Sequence, residues 1–375
     1  MAQIWRVMSK MCYTALMPYR PKYHITDGIL STITEIEALR TQISSSYILP
    51  EREIEMRYRA TVEEVHSSTA IEGNRLNIKQ VEKVLANDTP LTRHQYAEIE
   101  VRNYKRALEF VNTRKLTGKP IALKDILAIH SIITDNLLPA DRVGKLRTVG
   151  VDIVNQDDVK LYDAPEASMV EAEIAELLSW LNTSDNVHPT IAAAVLHYQF
   201  VSIHPFVDGN GRTTRALTHL YLGLRKYDFR GALVLDSYYL ADKQAYYNAL
   251  HEVQGTNYDH AVAAELNPWV IYFIEGFLSS AKILHVEVTI LSNVIGSSKL
   301  TKRINSEDAD LLGYAKQFGS ISLAEAGDIL LGVPRRTLQR KLKTLVDNGY
   351  LAVSGNSRNT IYVWNESKQT RHQPK

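Results

Sequence analysis

Between His204 and Arg215 the chain reads HPFVDGNGRTTR, placing a histidine, a carboxylate, an asparagine, two glycines and two arginines within twelve residues. Backbone N–H groups at a helix start hold phosphate well, because they lack partners and lie at the positive end of the helix dipole. Gly209 and Gly211 flank Asn210 and lead into RALTHLYLGL, whose apolar spacing is helical. Lacking side chains, the two glycines let the backbone approach a phosphate closely. Arg212 and Arg215 lie three apart, on nearly one face of the first turn, and can clamp polyphosphate oxygens. Asp208 offers one hard oxygen ligand, which suits Mg2+. Together these residues predict a nucleoside di- or triphosphate as ligand. His204, just before Pro205, has an ordinary pKa of about 6.5 and in its neutral form can take a proton from an attacking hydroxyl. Phe206 reads as an anchor for the loop. Singly, each residue has an ordinary structural explanation. A simple turn, however, needs no acid, asparagine and pair of phase-matched arginines together.

These residues must be positioned by a largely helical chain. Apolar residues recur at threes and fours from Ile33 to about Lys115, over Ile121–Leu137, Ala167–Leu181 and Pro189–Ile203, and again over Asp242–Glu252 and Asn267–Ile290. One interruption, TVGVDIVNQDDVKLYDAP, alternates and predicts a short hairpin with its tip at Asn155–Asp158. NVIGSSKLTKRIN reads as a linker. The chain divides into residues 1–115, 116–292, a linker at 293–302, and 303–375. With 43 basic and 42 acidic residues in 375, the formal net charge is +1, so affinity for nucleic acid or acidic lipid must be local. Cys12 is the only cysteine, which excludes an intramolecular disulfide. Arg6, Lys10, Pro18 and Arg20 break up the N-terminus before an apolar run reaches signal-peptide length, and no window is expected to reach the roughly 20 apolar residues of a membrane span. A cytoplasmic protein with no membrane partner is expected.

The stretch from His204 resembles the signature of Fic-domain proteins, H-x-F-x-D/E-G-N-G-R-x-x-R, with every defined position filled. The resemblance implies a mainly α fold: a helical Fic core near residues 120–290, a β-hairpin flap, and an N-terminal helical region. It implies transfer of AMP from ATP to a Ser, Thr or Tyr hydroxyl of a protein, which includes the chain itself, with loss of pyrophosphate. In that scheme His204 deprotonates the acceptor and Asp208 holds Mg2+. Asn210 and the amides of Gly209 and Gly211 bind the α-phosphate region, while Arg212 and Arg215 engage the β- and γ-phosphates. The flap residues Val151, Asp152, Ile153 and Val154 align a target segment. SSTAIEGN resembles the family's inhibitory sequence S/T-x-x-x-E-G/N, matched by Ser68, Glu72 and Gly73. Inserted beside Arg215, Glu72 would form the bidentate pair that the γ-phosphate otherwise needs.

At the C-terminus, SEDADLLGYAKQFG, SLAEAGDILLG and PRRTLQRKLKTLVDNG read as three helices, and LAVSGNSRNTIYVW as a hairpin; the order resembles a winged helix-turn-helix. Arg335, Arg336, Arg340, Lys341 and Lys343 form a basic patch on the third helix, the one that enters the major groove in such folds, and Arg358 falls in the wing. The patch makes DNA a candidate partner, with protein docking and homodimer formation as others. Further alternatives stay open: another nucleotide donor, removal of AMP, or a nucleotide-responsive DNA-binding regulator.

Overall fold

The runs of threes and fours become helices whose apolar stripes close on one core. We analysed a computed structural model, which describes residues 19–86, 95–154, 160–293, 306–330, 332–355 and 360–365. Helix α1 (Asp27–Ser45) starts at Thr26, whose Oγ1 accepts from Ile29 N at 3.2 Å, a side-chain cap. Pro50 opens α2 (Pro50–Ile71), where its missing N–H costs nothing, and Gly73 at φ +98° ends it. Helices α3 (Ile78–Leu85), α4 (Gln95–Lys115) and α5 (Leu123–Thr134) follow.

The hairpin is β1 (Asp152–Val154) against β2 (Lys160–Asp163), antiparallel with a register shift at Ile153/Val154. The strands are shorter than the alternation from Val149 suggested, and the expected tip at Asn155–Asp158 lies outside the described residues. After a 3-10 turn at Ala167–Met169 come α6 (Val170–Thr183), α7 (Pro189–Ile203) and α8 (Asn210–Leu224). Two short helices, α9 (Asp236–Ala241) and α11 (Tyr258–Ala263), flank α10 (Lys243–Gln254), and α12 (Asn267–Asn293) closes the region. The sequence patterns did not signal α9 or α11, since six residues are under two turns and carry little periodicity.

Helix α7 is buried on nearly every side and forms the centre. It packs against α6, α8, α11 and α12, while α8 also meets α4 and α5. One apolar cluster runs from Tyr19 to Leu291, so the core is continuous across residues 115 and 116. The expectation that no segment is long and apolar enough to span a membrane needs correction. Asn267–Ser292 passes that test, with a mean hydropathy of 1.2 in its most apolar window. Half of that window is buried, and Trp269, Val270, Phe273 and Phe277 point into the core, so its apolarity is that of a core helix.

A second cluster belongs to α13 (Ser306–Phe318), β3 (Ser320–Ser322), α14 (Leu323–Ile329), α15 (Arg335–Asp347), β4 (Leu351–Ser354) and β5 (Ile361–Trp364). Its sheet has the order β3-β5-β4 and is packed with the three helices. Arg57 on α2 pairs with Asp310 on α13 at 3.1 Å. Most of the linker segment and Arg358 lie outside the described residues.

Candidate active site

Helix α7 ends in a left-handed turn at His204 (φ 49°, ψ 61°), a strained conformation for a residue with a side chain. What holds it is Arg147, buried to 3% exposure. Its guanidinium donates to His204 O at 2.8 Å and Val149 O at 2.9 Å, and also to Pro165 O, so one side chain joins the His204 turn to both ends of the hairpin segment. Burial lowers its pKa, outweighing the opposing pull of Glu166 and Tyr162. His204 Nδ1 lies 3.3 Å from Val201 O, which can only accept, so Nδ1 carries the proton and Nε2 presents a lone pair. Burial pushes its pKa down to about 4. The sequence-level value of about 6.5 is therefore corrected: this imidazole is neutral well below pH 6.

Phe206 is fully buried and stacks on His130 with ring centroids 3.6 Å apart. His130 Nδ1 accepts from Gly144 N and Nε2 donates to Asp208 O, both at 3.0 Å. The anchor role of Phe206 thus has a partner on α5. The Asn210 side chain is engaged with its own loop. Its Oδ1 accepts from Phe206 N at 2.9 Å and its Nδ2 donates to Phe206 O at 2.8 Å, with 3% exposure, so the side chain serves to shape the loop.

Gly209 caps α8 at φ +80°, a left-handed position that favours glycine, and a β-carbon there would also crowd Thr134. A β-carbon on Gly211 would collide with Glu72 Oε1. The Glu72 carboxylate therefore lies directly on the helix start where a phosphate would sit. Glu72 Oε1 accepts from Arg215 Nη2 at 2.9 Å, while Ser68 accepts twice from the same guanidinium, through Oγ and O, each at 2.8 Å. The expected bidentate pair is instead a single carboxylate oxygen reinforced by Ser68. Burial works against the Glu72 charge, but Arg215 and then Arg212 outweigh it and hold its pKa below the usual range.

Arg212 is buried against Glu100 of α4 in a short ion pair, with Asp208 Oδ1 at 3.6 Å. It is thus held from behind rather than free to swing. Asp208 accepts from Gly209 N at 2.6 Å and its side chain remains 52% exposed. A hard cation meeting phosphate needs one such solvent-facing carboxylate, so the residue present fits Mg2+.

Residues 120–222 match the model of the Fic/DOC family. Over those residues the chain is similar to the Fic/DOC family. Protein adenylyltransferase fic-1 of Caenorhabditis briggsae is 34% identical over 163 residues, covering 42% of this chain and 31% of that protein. Protein adenylyltransferase Fic of Drosophila virilis is 31% identical over 44% of this chain and 33% of its own length. The chain spans about a third of the length of these curated relatives. In fold, it resembles a Fic family protein from Desulfovibrio desulfuricans (TM-score 0.61, 24% identity, 94% of this chain and 100% of that one). It also resembles Fic-1 from C. elegans, with a TM-score of 0.54 and 24% identity over 69% of this chain and 71% of that one.

Around this matched segment, the remaining expected residues are distributed unevenly. Val151 and Ile153 are half-buried and Asp152 is exposed, bonded to Lys160 at 2.9 Å across the hairpin; the Val154 side chain lies outside the description. On α15, Arg335, Arg336, Arg340 and Lys343 are exposed. Lys341 is not part of that patch: it pairs with Glu307 at 3.0 Å and Asp308 at 2.8 Å, tying α15 to α13. Sequence reasoning missed His130, Arg147, Glu100 and Asp236. Each is polar within or beside an apolar pattern, a signal that marks burial but names no partner.

Proposed function

We propose that this protein is a protein adenylyltransferase, moving AMP from ATP to a Ser, Thr or Tyr hydroxyl of a protein and restrained by its own Glu72. The observation that carries this reading is the seat of Glu72. It occupies the place against Gly211 and Arg215 that the terminal phosphates of ATP would take, with His204 Nε2 free to act as base.

The chemistry asks little covalent work of the protein. The acceptor oxygen attacks the α-phosphorus, its proton passes to His204 Nε2, and the bond to pyrophosphate breaks. The amides at the start of α8 face the phosphates, with Arg212 and Arg215 against the β- and γ-phosphates. Arg147 keeps His204 in register with the flap, so base and acceptor move as one unit. Asp208 would hold Mg2+, which when bound screens the phosphate charges. With Glu72 seated, the terminal phosphate cannot meet Arg215 and ATP lies misaligned for in-line attack.

The exposed arginines of the winged helix support a recruiting role for that module, with duplex DNA as the partner their charge fits.

The test separates binding from chemistry in full-length protein. His204→Ala should bind ATP by calorimetry with little change, yet transfer no label from ATP to protein. Residual transfer by His204→Ala at the parent rate would remove the base assignment.

A further inference from the structure

Behind the phosphate-facing side of Arg215 lies a second set of charged groups that neither the motif nor the restraint uses. Glu64, Ser68 and Glu72 are spaced by four along the end of α2, so they form one stripe. Arg215 and His219 form the facing stripe on α8. Glu72 and Ser68 meet Arg215, and one turn back Glu64 Oε1 meets His219 Nε2 at 2.5 Å. Asp236, the first residue of α9, closes both stripes from the other side. Its Oδ2 lies 3.3 Å from Arg215 Nε and its Oδ1 lies 3.7 Å from His219 Nε2. Tyr104 OH donates to the same Oδ2 at 3.5 Å.

The Arg215–Asp236 contact is out of water: the two residues are each 1% exposed. A buried guanidinium needs a permanent counter-charge, and Glu72 cannot supply it once a phosphate takes its place. Asp236 can, because it lies beside Nε, next to the Ser68 contacts, and does not occupy the Nη side that Glu72 vacates for the ligand. Asp236 in turn needs a second cation, and His219 provides it. Burial disfavours a charged imidazole there, but Glu64 and then Asp236 outweigh it, and the His219 pKa rises to about 10. Burial likewise works against the Asp236 charge, yet His219 and Arg215 hold its pKa below the ordinary value.

We propose that Asp236, supported by His219, is a positioning residue that holds the Arg215 guanidinium by its Nε edge so that its Nη edge meets the terminal phosphate of ATP. This rests on the reading of Arg215 as a terminal-phosphate ligand. The contribution is directional: without Asp236 the guanidinium keeps its charge and its two Ser68 contacts but loses the carboxylate beside Nε that anchors that edge.

The experiment compares ATP and ADP binding by calorimetry in full-length Glu72→Gly, with and without Asp236→Asn. Asp236→Asn should weaken ATP about tenfold, equivalent to about 1.4 kcal/mol, and leave ADP within about twofold. In transfer assays KM for ATP should rise more than kcat falls. If Asp236→Asn does not fold, His219→Gln should show the same ATP-selective loss at about threefold. An equal loss for ATP and ADP, or none for either, overturns the proposal. Should Glu72→Gly transfer no AMP at all, the adenylyltransferase reading fails, while the ATP-to-ADP ratio still reports on Asp236.

Discussion

Glu72→Gly is the perturbation with the most direct structural rationale. In the parent, a phosphate can reach Gly211 and Arg215 only after the Glu72 carboxylate leaves, which breaks its 2.9 Å bond to Arg215 Nη2. A hydrogen bond between charged groups is worth roughly 1.5–3 kcal/mol, and Arg215 is 1% exposed, so solvent screening at its end is small. Ser68 keeps its two contacts in either case, so they do not enter the difference. The displaced carboxylate would also repel the incoming phosphates, which adds in the same direction. Converted to a rate, this range predicts an increase in AMP transfer of about tenfold to a hundredfold. The assay follows incorporation of label from ATP into the protein itself and into a lysate over time, parent against Glu72→Gly, at equal protein and saturating Mg2+. A variant rate within about twofold of the parent would refute the reasoning, since even the low end of the range exceeds that.

Three further outcomes follow from the same geometry. Because His204 stays neutral to about pH 4, kcat/KM of Glu72→Gly should show no falling limb centred near 6.5 as pH drops from 8 to 5.5; a half-maximal point there would place the imidazole in water instead. Arg147→Met should destabilise the fold by roughly 3–5 kcal/mol, measured by urea unfolding, because it strands buried carbonyls at His204 and Pro165; a loss under about 1 kcal/mol would show that Arg147 does not hold the turn. In gel shifts of the full chain with duplex DNA at low salt, Arg336→Ala should weaken binding and reduce its salt dependence, whereas Lys341→Ala should lower Tm and leave binding unchanged; equal effects on binding would return Lys341 to the basic patch.

Much of the site was legible because its parts are contiguous. His204, Asp208, Gly209, Gly211, Arg212 and Arg215 lie in one loop and one helical turn, so spacing alone fixes their relation. Ser68 and Glu72 were found by motif, but their contact with Arg215 spans more than 140 positions and only the fold brings it about. The loop-shaping pairing of Asn210 with Phe206 was not legible, because an amide can serve a ligand or its own loop and the sequence shows neither partner. Lys341 misled for a related reason: a basic residue on a helix reads as free until Glu307 and Asp308 arrive from another helix. His130, Arg147, Glu100 and Asp236 were hidden because their roles depend on partners distant in sequence. Helix boundaries fared better, as with Pro189–Ile203, where a proline start and a proline just past the end leave little choice.

The central claim is that this site moves the α-phosphoryl portion of ATP onto a protein hydroxyl. Parallel reactions of Glu72→Gly with ATP labelled at the α- or the γ-phosphate, followed by peptide mass spectrometry, test it most directly. The account predicts covalent label from the α-position only, carried as a single adenylyl group on Ser, Thr or Tyr and lost in Glu72→Gly with His204→Ala. Label from the γ-position, or an adenylyl group that forms equally well without His204, would contradict it.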